Sequence, residues 1–352
     1  MPDPNQFLAL AEAQHPLFVG IDVGGTNIKI GLLDDLGRTV AFHTVPTDVQ
    51  RGAEDASRRM AEGVAHLLEQ VGATTDDVVR LGLATPGPMD ISQGMLLTPG
   101  NLPGWWNFPI RDRVGDECGL PVRFANDANA AAFGEFWCGA GVDAHSIVLL
   151  TLGTGIGGGI VIGDLLVEGA NGCGGECGHI LVDPSVDAPR DSLDKTGSLE
   201  AYCGSYAVVG RANQALDADR DSTLAQVRSR GQQLTPLAIA EAAEAGDELA
   251  HEVVMETARY LGLGIVTLIH TIDPDSVVLG GAMTFGGAGH PLGEAFLQKV
   301  LEVARPRLLP PLREKLRIEF AQLGGDAGYI GAAGLARLEH FRKEGKSQVV
   351  PS

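Results

Sequence analysis

Two stretches of the chain share one pattern of apolar and polar positions. Residues 18–34 read F-V-G-I-D-V-G-G-T-N-I-K-I-G-L-L-D, with Val19, Ile21 and Val23 alternating along one strand and Ile28, Ile30 and Leu32 along the next. A Gly-Gly-Thr turn joins them, and paired glycines let a turn reach positive φ and bring backbone close to a ligand. Residues 147–164, I-V-L-L-T-L-G-T-G-I-G-G-G-I-V-I-G-D, repeat the design with a Gly-Thr-Gly turn. One such hairpin reads equally well as an ordinary tight turn. Two predict similar α/β halves facing each other across a cleft, each giving one loop to a shared polyphosphate.

The rest of the pattern fills in both halves. Residues 39–44 extend the first hairpin to three antiparallel strands, and Met60, Val64, Leu67, Leu68 and Val71 recur at helical spacing within 54–71. A strand at 78–84 ends at Thr85-Pro86-Gly87-Pro88. Three strands, a helix and a strand make a half built on a mixed sheet, whose ligand loops lie at strand carboxyl ends. That places T-P-G-P and the loop 101–106 along one wall, although Trp106 reads at least as well as a packing anchor. A strand at 121–125 delivers Asn126-Asp127 to the start of an alanine-rich helix, 128–137. One of the two is expected to cap that helix, leaving the other to face the cleft.

In the second half, the Gly-dense loop 168–179 presents Glu176 and His179. Ser198 opens a helix through about residue 214, with Glu200 in its first turn, where a carboxylate is usually a favourable dipole contact. Helices are expected at 235–245, 248–272, 291–303 and 329–343, and strands at 276–280 and 317–322. Gly281 and a second glycine cluster follow the strand at 276–280 and suit close backbone approach to a base or ribose.

Composition narrows the function. A chain of 352 residues, 44% hydrophobic and 20% charged, can bury a large core and has room for two domains. Its formal charge of −19 lacks the basic field that non-specific nucleic-acid or anionic-membrane binding needs. ATP remains compatible, because backbone amides and Mg²⁺ hold it locally. No basic start and apolar run marks a signal peptide in the first residues, and the most apolar helical stretch, 261–272, is too short for a bilayer. A soluble cytoplasmic protein with no membrane or nucleic-acid partner is therefore expected. The five cysteines, Cys118, Cys138, Cys173, Cys177 and Cys203, form no framework and read as reduced thiols. Cys173, Cys177, His179 and Cys203 could meet at a metal, but without a CxxC pair they read better as buried small hydrophobes.

Two nucleotide motifs are excluded. There is no G-x-x-x-x-G-K-[ST], and Gly153 to Gly158, which matches G-x-G-x-x-G, is followed by β-branched residues instead of the helix a dinucleotide fold requires. Asp22, at the end of the first strand beside the Thr26 hydroxyl and free turn amides, suits phosphate with a hydrated Mg²⁺.

In combination, D-V-G-G-T at 22–26, N-D-A-N at 126–129, G-T-G-I-G-G-G at 153–159, G-E-C-G-H at 175–179 and V-V-L-G-G at 277–281 are specific. Across 18–343 the chain resembles the ROK family of sugar kinases in the actin-like and hexokinase-like ATPase superfamily, and among them is similar to bacterial glucokinases. The resemblance implies two RNase H-like α/β domains with a cleft between them, 17–124 with 328–345 and 125–327. It implies Asp127 as catalytic base, and Gly87, Asn126, Asp127, Glu176, His179 and Glu200 around the sugar. Asp22, Gly24, Gly25, Thr26, Lys29, Gly153, Thr154, Gly155, Gly280 and Gly281 would serve ATP and Mg²⁺. The expected reaction is phosphorylation of a hexose at its 6-hydroxyl, glucose first, by a homodimer. Alternatives are a kinase for mannose, fructose, allose or an N-acetylhexosamine, or a catalytically silent sugar sensor. ATP and polyphosphate are both open as donors.

One departure stands out. The family's zinc motif has the form C-x-C-G-x-x-G-C-x-E, with the histidine of G-H as fourth ligand. Here Asp191, Leu193 and Ser198 occupy the cysteine positions, while Gly197 and Glu200 remain. No structural zinc is expected, and the positioning of His179 loses its metal. Family repressors carry a helix-turn-helix ahead of the kinase-like region. Seventeen residues precede Phe18 and the chain is acidic, so a repressor is not expected.

Overall fold

The computed structural model describes residues 7–345. Its first elements are β1 (Leu17–Val23), β2 (Asn27–Leu33), β3 (Thr39–Pro46), α1 (Ala53–Val71), β4 (Val78–Thr85), a short hairpin of β5 (Met89–Asp90) and β6 (Met95–Leu96), α2 (Ile110–Cys118), β7 (Val122–Asn126) and α3 (Asp127–Cys138). There follow β8 (Ser146–Leu152), β9 (Ile156–Ile162), β10 (Leu165–Leu166), α4 (Leu199–Cys203), α5 (Ser205–Asp217), α6 (Leu224–Ser229), α7 (Pro236–Glu244) and α8 (Glu248–Ile272). The chain ends with β11 (Ser276–Gly280), α9 (Pro291–Ala304), α10 (Pro310–Arg313), β12 (Ile318–Phe320) and α11 (Ala327–Lys343). It divides into two compact units: unit 1 is Met1–Asp143, Gly159–Gly175 and Gln322–Ser352, and unit 2 is Ala144–Gly158 and Glu176–Ala321.

Unit 1 is built on a sheet of order β3-β2-β1-β4-β7. β1 runs antiparallel to β2 and parallel to β4, and β4 is parallel to β7. Side chains alternate across a strand, so Val19, Ile21 and Val23 share one face with Ile28 and Ile30 and pack with Met60, Val64 and Leu67 of α1. On the other parity stands Gly20, where α11 lies so close that a Cβ would fall 1.9 Å from the Tyr329 carbonyl; at Gly82 of β4 it would fall 1.8 Å from that of Ala332. Helix backbone therefore rests on strand backbone, which only glycine permits. Every residue of α11 from Ala327 to Leu338 is buried, and α3 packs along it. α3 and the segment 159–175 thus belong with unit 1, whereas the sequence boundary at 125 put them in the second domain.

The second sheet has order β10-β9-β8-β11-β12, with β8, β11 and β12 parallel. Both sheets follow one plan, three strands in series and then two parallel additions, so the repeat read from the glycine hairpins extends to whole sheets. In unit 2, α8 packs with α7, α9, α4 and α5. α8 is 25 residues long and apolar enough to cross a membrane by length and composition, yet 56% of its most apolar window is buried, as in a core helix. The stretch 261–272, expected to be too short for a bilayer, is only its second half.

Two local expectations change, and three elements are added. The helix expected over 198–214 breaks at Gly204, which is extended (φ −66, ψ 154). The break lets the Ser205 amide donate to the carbonyls of Gly153 (3.0 Å) and Thr154 (3.2 Å), fastening α5 to the second glycine turn. The tryptophans split: Trp105 is the fully buried anchor, donating to the Val49 carbonyl, and Trp106 is 60% exposed. The helices α2 and α6 and the β5/β6 hairpin have too short an apolar period to stand out in the sequence.

Candidate active site

In unit 1 the candidate residues gather at the ends of β1, β4 and β7. Asp22 is half-buried near the end of β1, in register with Lys29 of β2. It accepts no hydrogen bond among the described residues. Burial, then the Asp127 charge, raise Asp22 to about 6, against a smaller lowering by Lys29. At Gly328, the second residue of α11, a Cβ would fall 2.3 Å from the Asp22 carboxylate, so the helix start also closes on this group.

The Gly24-Gly25-Thr26 turn is closed by the Gly24 amide donating to the Asn27 carbonyl (2.9 Å). Thr47, which no motif marks, braces the turn: its hydroxyl donates to the Gly24 carbonyl (2.6 Å) and its amide to that of Thr26 (2.8 Å). Gly25 and Thr26 remain exposed. The Lys29 ammonium donates to the Gly325 carbonyl, in the loop before α11.

Asn126 and Asp127 end β7 and begin α3. Asn126 is the cap, its side-chain oxygen accepting from the amides of Ala128 (2.9 Å) and Asn129 (3.4 Å). Its amide group is left to donate elsewhere. Asp127 accepts from the Ala128 amide at 2.8 Å, but burial outweighs this and its own N–H and raises its pKa. Next to them in the parallel register stands Thr85, opposite Asn126, with a buried hydroxyl that has no partner among the described residues. The T-P-G-P signal drew attention to Gly87, which takes φ 91 against Pro99; the unsatisfied donor is two residues earlier.

In unit 2 a second set comes together. The turn 153–155 is closed by the Gly153 amide donating to the Gly155 carbonyl (3.0 Å), with Thr154 exposed. Gly281 (φ 89) lies against the end of β8, where a Cβ would meet the Leu152 carbonyl at 2.3 Å, so Gly280-Gly281 flanks this turn. Glu200 is buried and engaged: Oε2 accepts from the Ile156 amide (3.0 Å), and Oε1 from the Ser192 hydroxyl and amide and the Tyr206 hydroxyl. A Cβ at Gly155 would fall 2.1 Å from that carboxylate. Glu176 is exposed, its carbonyl accepting from the His179 amide (3.1 Å). His179 is partly exposed, with Nδ1 3.0 Å from Asp191 Oδ2. Neither Ser192 nor Tyr206 carries a motif that would have marked it.

The cysteines do not collect at a metal. Cys177 and Cys203 are buried, the Cys203 thiol donating to the Thr257 carbonyl (3.5 Å). Among the described residues no three His, Cys, Asp or Glu side chains form a metal-binding group.

Comparison with known proteins identifies the family and the fold. The family model described as "ROK family" matches residues 18–339. A glucokinase of Halalkalibacterium halodurans is 35% identical over 93% of this chain and 97% of its own. The crystal structure of a ROK hexokinase from Thermus thermophilus superposes with a TM-score of 0.78 at 34% identity, covering 93% of this chain and 99% of that one. A ROK glucokinase from Streptomyces griseus, solved with glucose and AMPPNP, gives 0.71 at 34% identity over 91% and 99%. Matched over nearly its whole length, the chain belongs to the ROK family and has the actin-like ATPase fold.

Proposed function

We propose that the protein transfers the γ-phosphoryl group of ATP to the 6-hydroxyl of a hexose, with glucose the substrate, as the names of the glucokinases to which it is similar suggest. The observation that carries the reading is the carboxylate pair of unit 1: Asp127 at a helix start, raised by burial, beside Asp22, which accepts no hydrogen bond among the described residues. Asp127 is the general base that takes the hydroxyl proton as the oxygen–phosphorus bond forms, and a raised proton affinity suits that task. The amide group of Asn126 and the Thr85 hydroxyl, both without a partner among the described residues, supply donors to sugar oxygens beside it, with Gly87 giving backbone room. Glu176 and His179 hold further sugar hydroxyls.

Phosphoryl transfer needs mainly positioning and charge neutralisation. The amides of the turns 24–26 and 153–155 serve the phosphates, and Gly280-Gly281 the adenosine side. Mg²⁺ fits the donor set: it keeps most of its waters and takes one or two carboxylates plus phosphate oxygens, and Asp22 is the carboxylate that would hold it. The ion supplies charge neutralisation across the phosphates. Lys29, committed to the Gly325 carbonyl, orders the loop before α11 next to Asp22. Glu200, whose acceptor positions are largely taken within unit 2, joins the second phosphate turn to the segment 192–206 that accompanies the sugar residues.

The test is an ADP-release assay with Mg-ATP across a panel of hexoses, run beside Asp127→Asn. We expect glucose-dependent turnover that falls about 10²–10⁴-fold in the variant while sugar binding survives. Turnover with a different hexose alone would reassign the substrate, and sugar binding without turnover would make the protein a sensor.

A further inference from the structure

The residues in place of the family's zinc motif do not fit zinc. They offer one carboxylate and one imidazole, where a structural site takes four nitrogen or thiolate ligands. What they form instead is a hydrogen-bonded hub. The fully buried Asp191 carboxylate accepts four bonds: Oδ1 from the amides of Leu193 (2.9 Å) and Lys195 (2.8 Å), Oδ2 from the Ser198 hydroxyl (2.8 Å) and from His179 Nδ1 (3.0 Å). A carboxylate has about four acceptor positions, so none is left over. Burial alone would raise its proton affinity; the bonds from Lys195, Ser198, His179 and Leu193 outweigh it and hold the group below the ordinary carboxylate range. Asp194, at the position of the motif's first glycine, adopts φ 61, so the loop keeps a left-handed turn without that glycine.

The consequence lies in the histidine ring. An ionised carboxylate can only accept, so the proton of a neutral His179 must sit on Nδ1. Nε2, which has no partner among the described residues, then carries a lone pair. A metal acts in the opposite sense: it takes one ring lone pair and forces the proton onto the other nitrogen, which must donate.

We propose that Asp191 is a positioning residue that takes over from zinc and reverses the polarity of His179, so that Nε2 meets the sugar as an acceptor and the hydroxyl opposite it must donate. This rests on the reading of His179 as a sugar ligand; the tautomer and the missing zinc do not.

The experiment uses the full chain, produced in zinc-supplemented medium, with metal analysis and ring ¹⁵N NMR at pH 8, His179 being assigned from a His179→Asn sample. We expect substoichiometric zinc and an Nδ1–H neutral tautomer. Stoichiometric zinc, an Nε2–H tautomer or a doubly protonated ring at that pH would overturn the proposal. In Asp191→Asn, whose side chain can present N–H to the ring, the tautomer should shift and KM for the sugar rise about 10–100-fold, with kcat and KM for ATP changing less. Ser198→Ala removes one bond to the same carboxylate without touching the ring, and should keep the wild-type tautomer. An unchanged sugar KM in a folded Asp191→Asn that still turns over sugar would overturn the positioning role. A chain without sugar turnover would instead defeat the kinase reading, and the spectra and zinc content would still decide the hub.

Discussion

Two pairs of carboxylates, one in each unit, are treated in opposite ways. In unit 1, Asp22 accepts nothing among the described residues and Asp127 little, and burial raises both. In unit 2, Asp191 and Glu200 are each met by several N–H and O–H donors, and Asp191 is lowered. A buried charge without partners is costly, and a protein keeps one where a ligand will compensate it. The satisfied pair holds loops still; the unsatisfied pair is left for the cation and the proton of the proposed reaction.

The largest test of this contrast is Glu200→Ala. It leaves the buried Ile156 amide unpaired, which costs about 1–3 kcal/mol. Thermal melts should show that loss at every pH near neutrality, and KM should rise for nucleotide and sugar together, because one carboxylate braces both segments. A change confined to sugar KM would return Glu200 to a plain ligand.

The effect of Asp22→Asn has the other sign. A carboxylate whose folded pKa is raised from 3.8 to about 6 favours the folded state fully only below the ordinary value, and that contribution is lost as pH rises through about 6. The unliganded Asn variant should therefore melt higher than wild type at pH 7.5, and the two should converge near pH 4, although the variant loses activity with Mg-ATP. A variant less stable at pH 7.5 would show that Asp22 is satisfied after all. Gly25→Ala is the smallest change. A Cβ there meets nothing closer than 3.8 Å, so stability should move by less than about 0.5 kcal/mol, with any effect confined to KM for ATP.

Much of this was legible in the sequence because glycine hairpins and strand-to-helix junctions are local. The strands flanking both turns, the Asn126-Asp127 junction and the hairpin in place of a dinucleotide helix all follow from residues close together in the chain. Thr47, Ser192 and Tyr206 escaped notice because each acts through a single ordinary hydroxyl at a spacing that no motif marks. The break at Gly204 was hidden for a similar reason: the helical period runs through it, and the carbonyls that stop the helix lie fifty residues earlier. Asp191 was visible as a missing cysteine, but its four donors became apparent only once the loop was folded.

The bare backbone contact of α11 on β1 and β4 also orders events during synthesis. Unit 1 opens with the earliest strands, yet the helix that covers Gly20 and Gly82 leaves the ribosome only after all of unit 2 has been made. Domains generally fold as units while the chain emerges. The later-starting unit can therefore close first, and the half that holds Asp22 and Asp127 stays open until translation is nearly over.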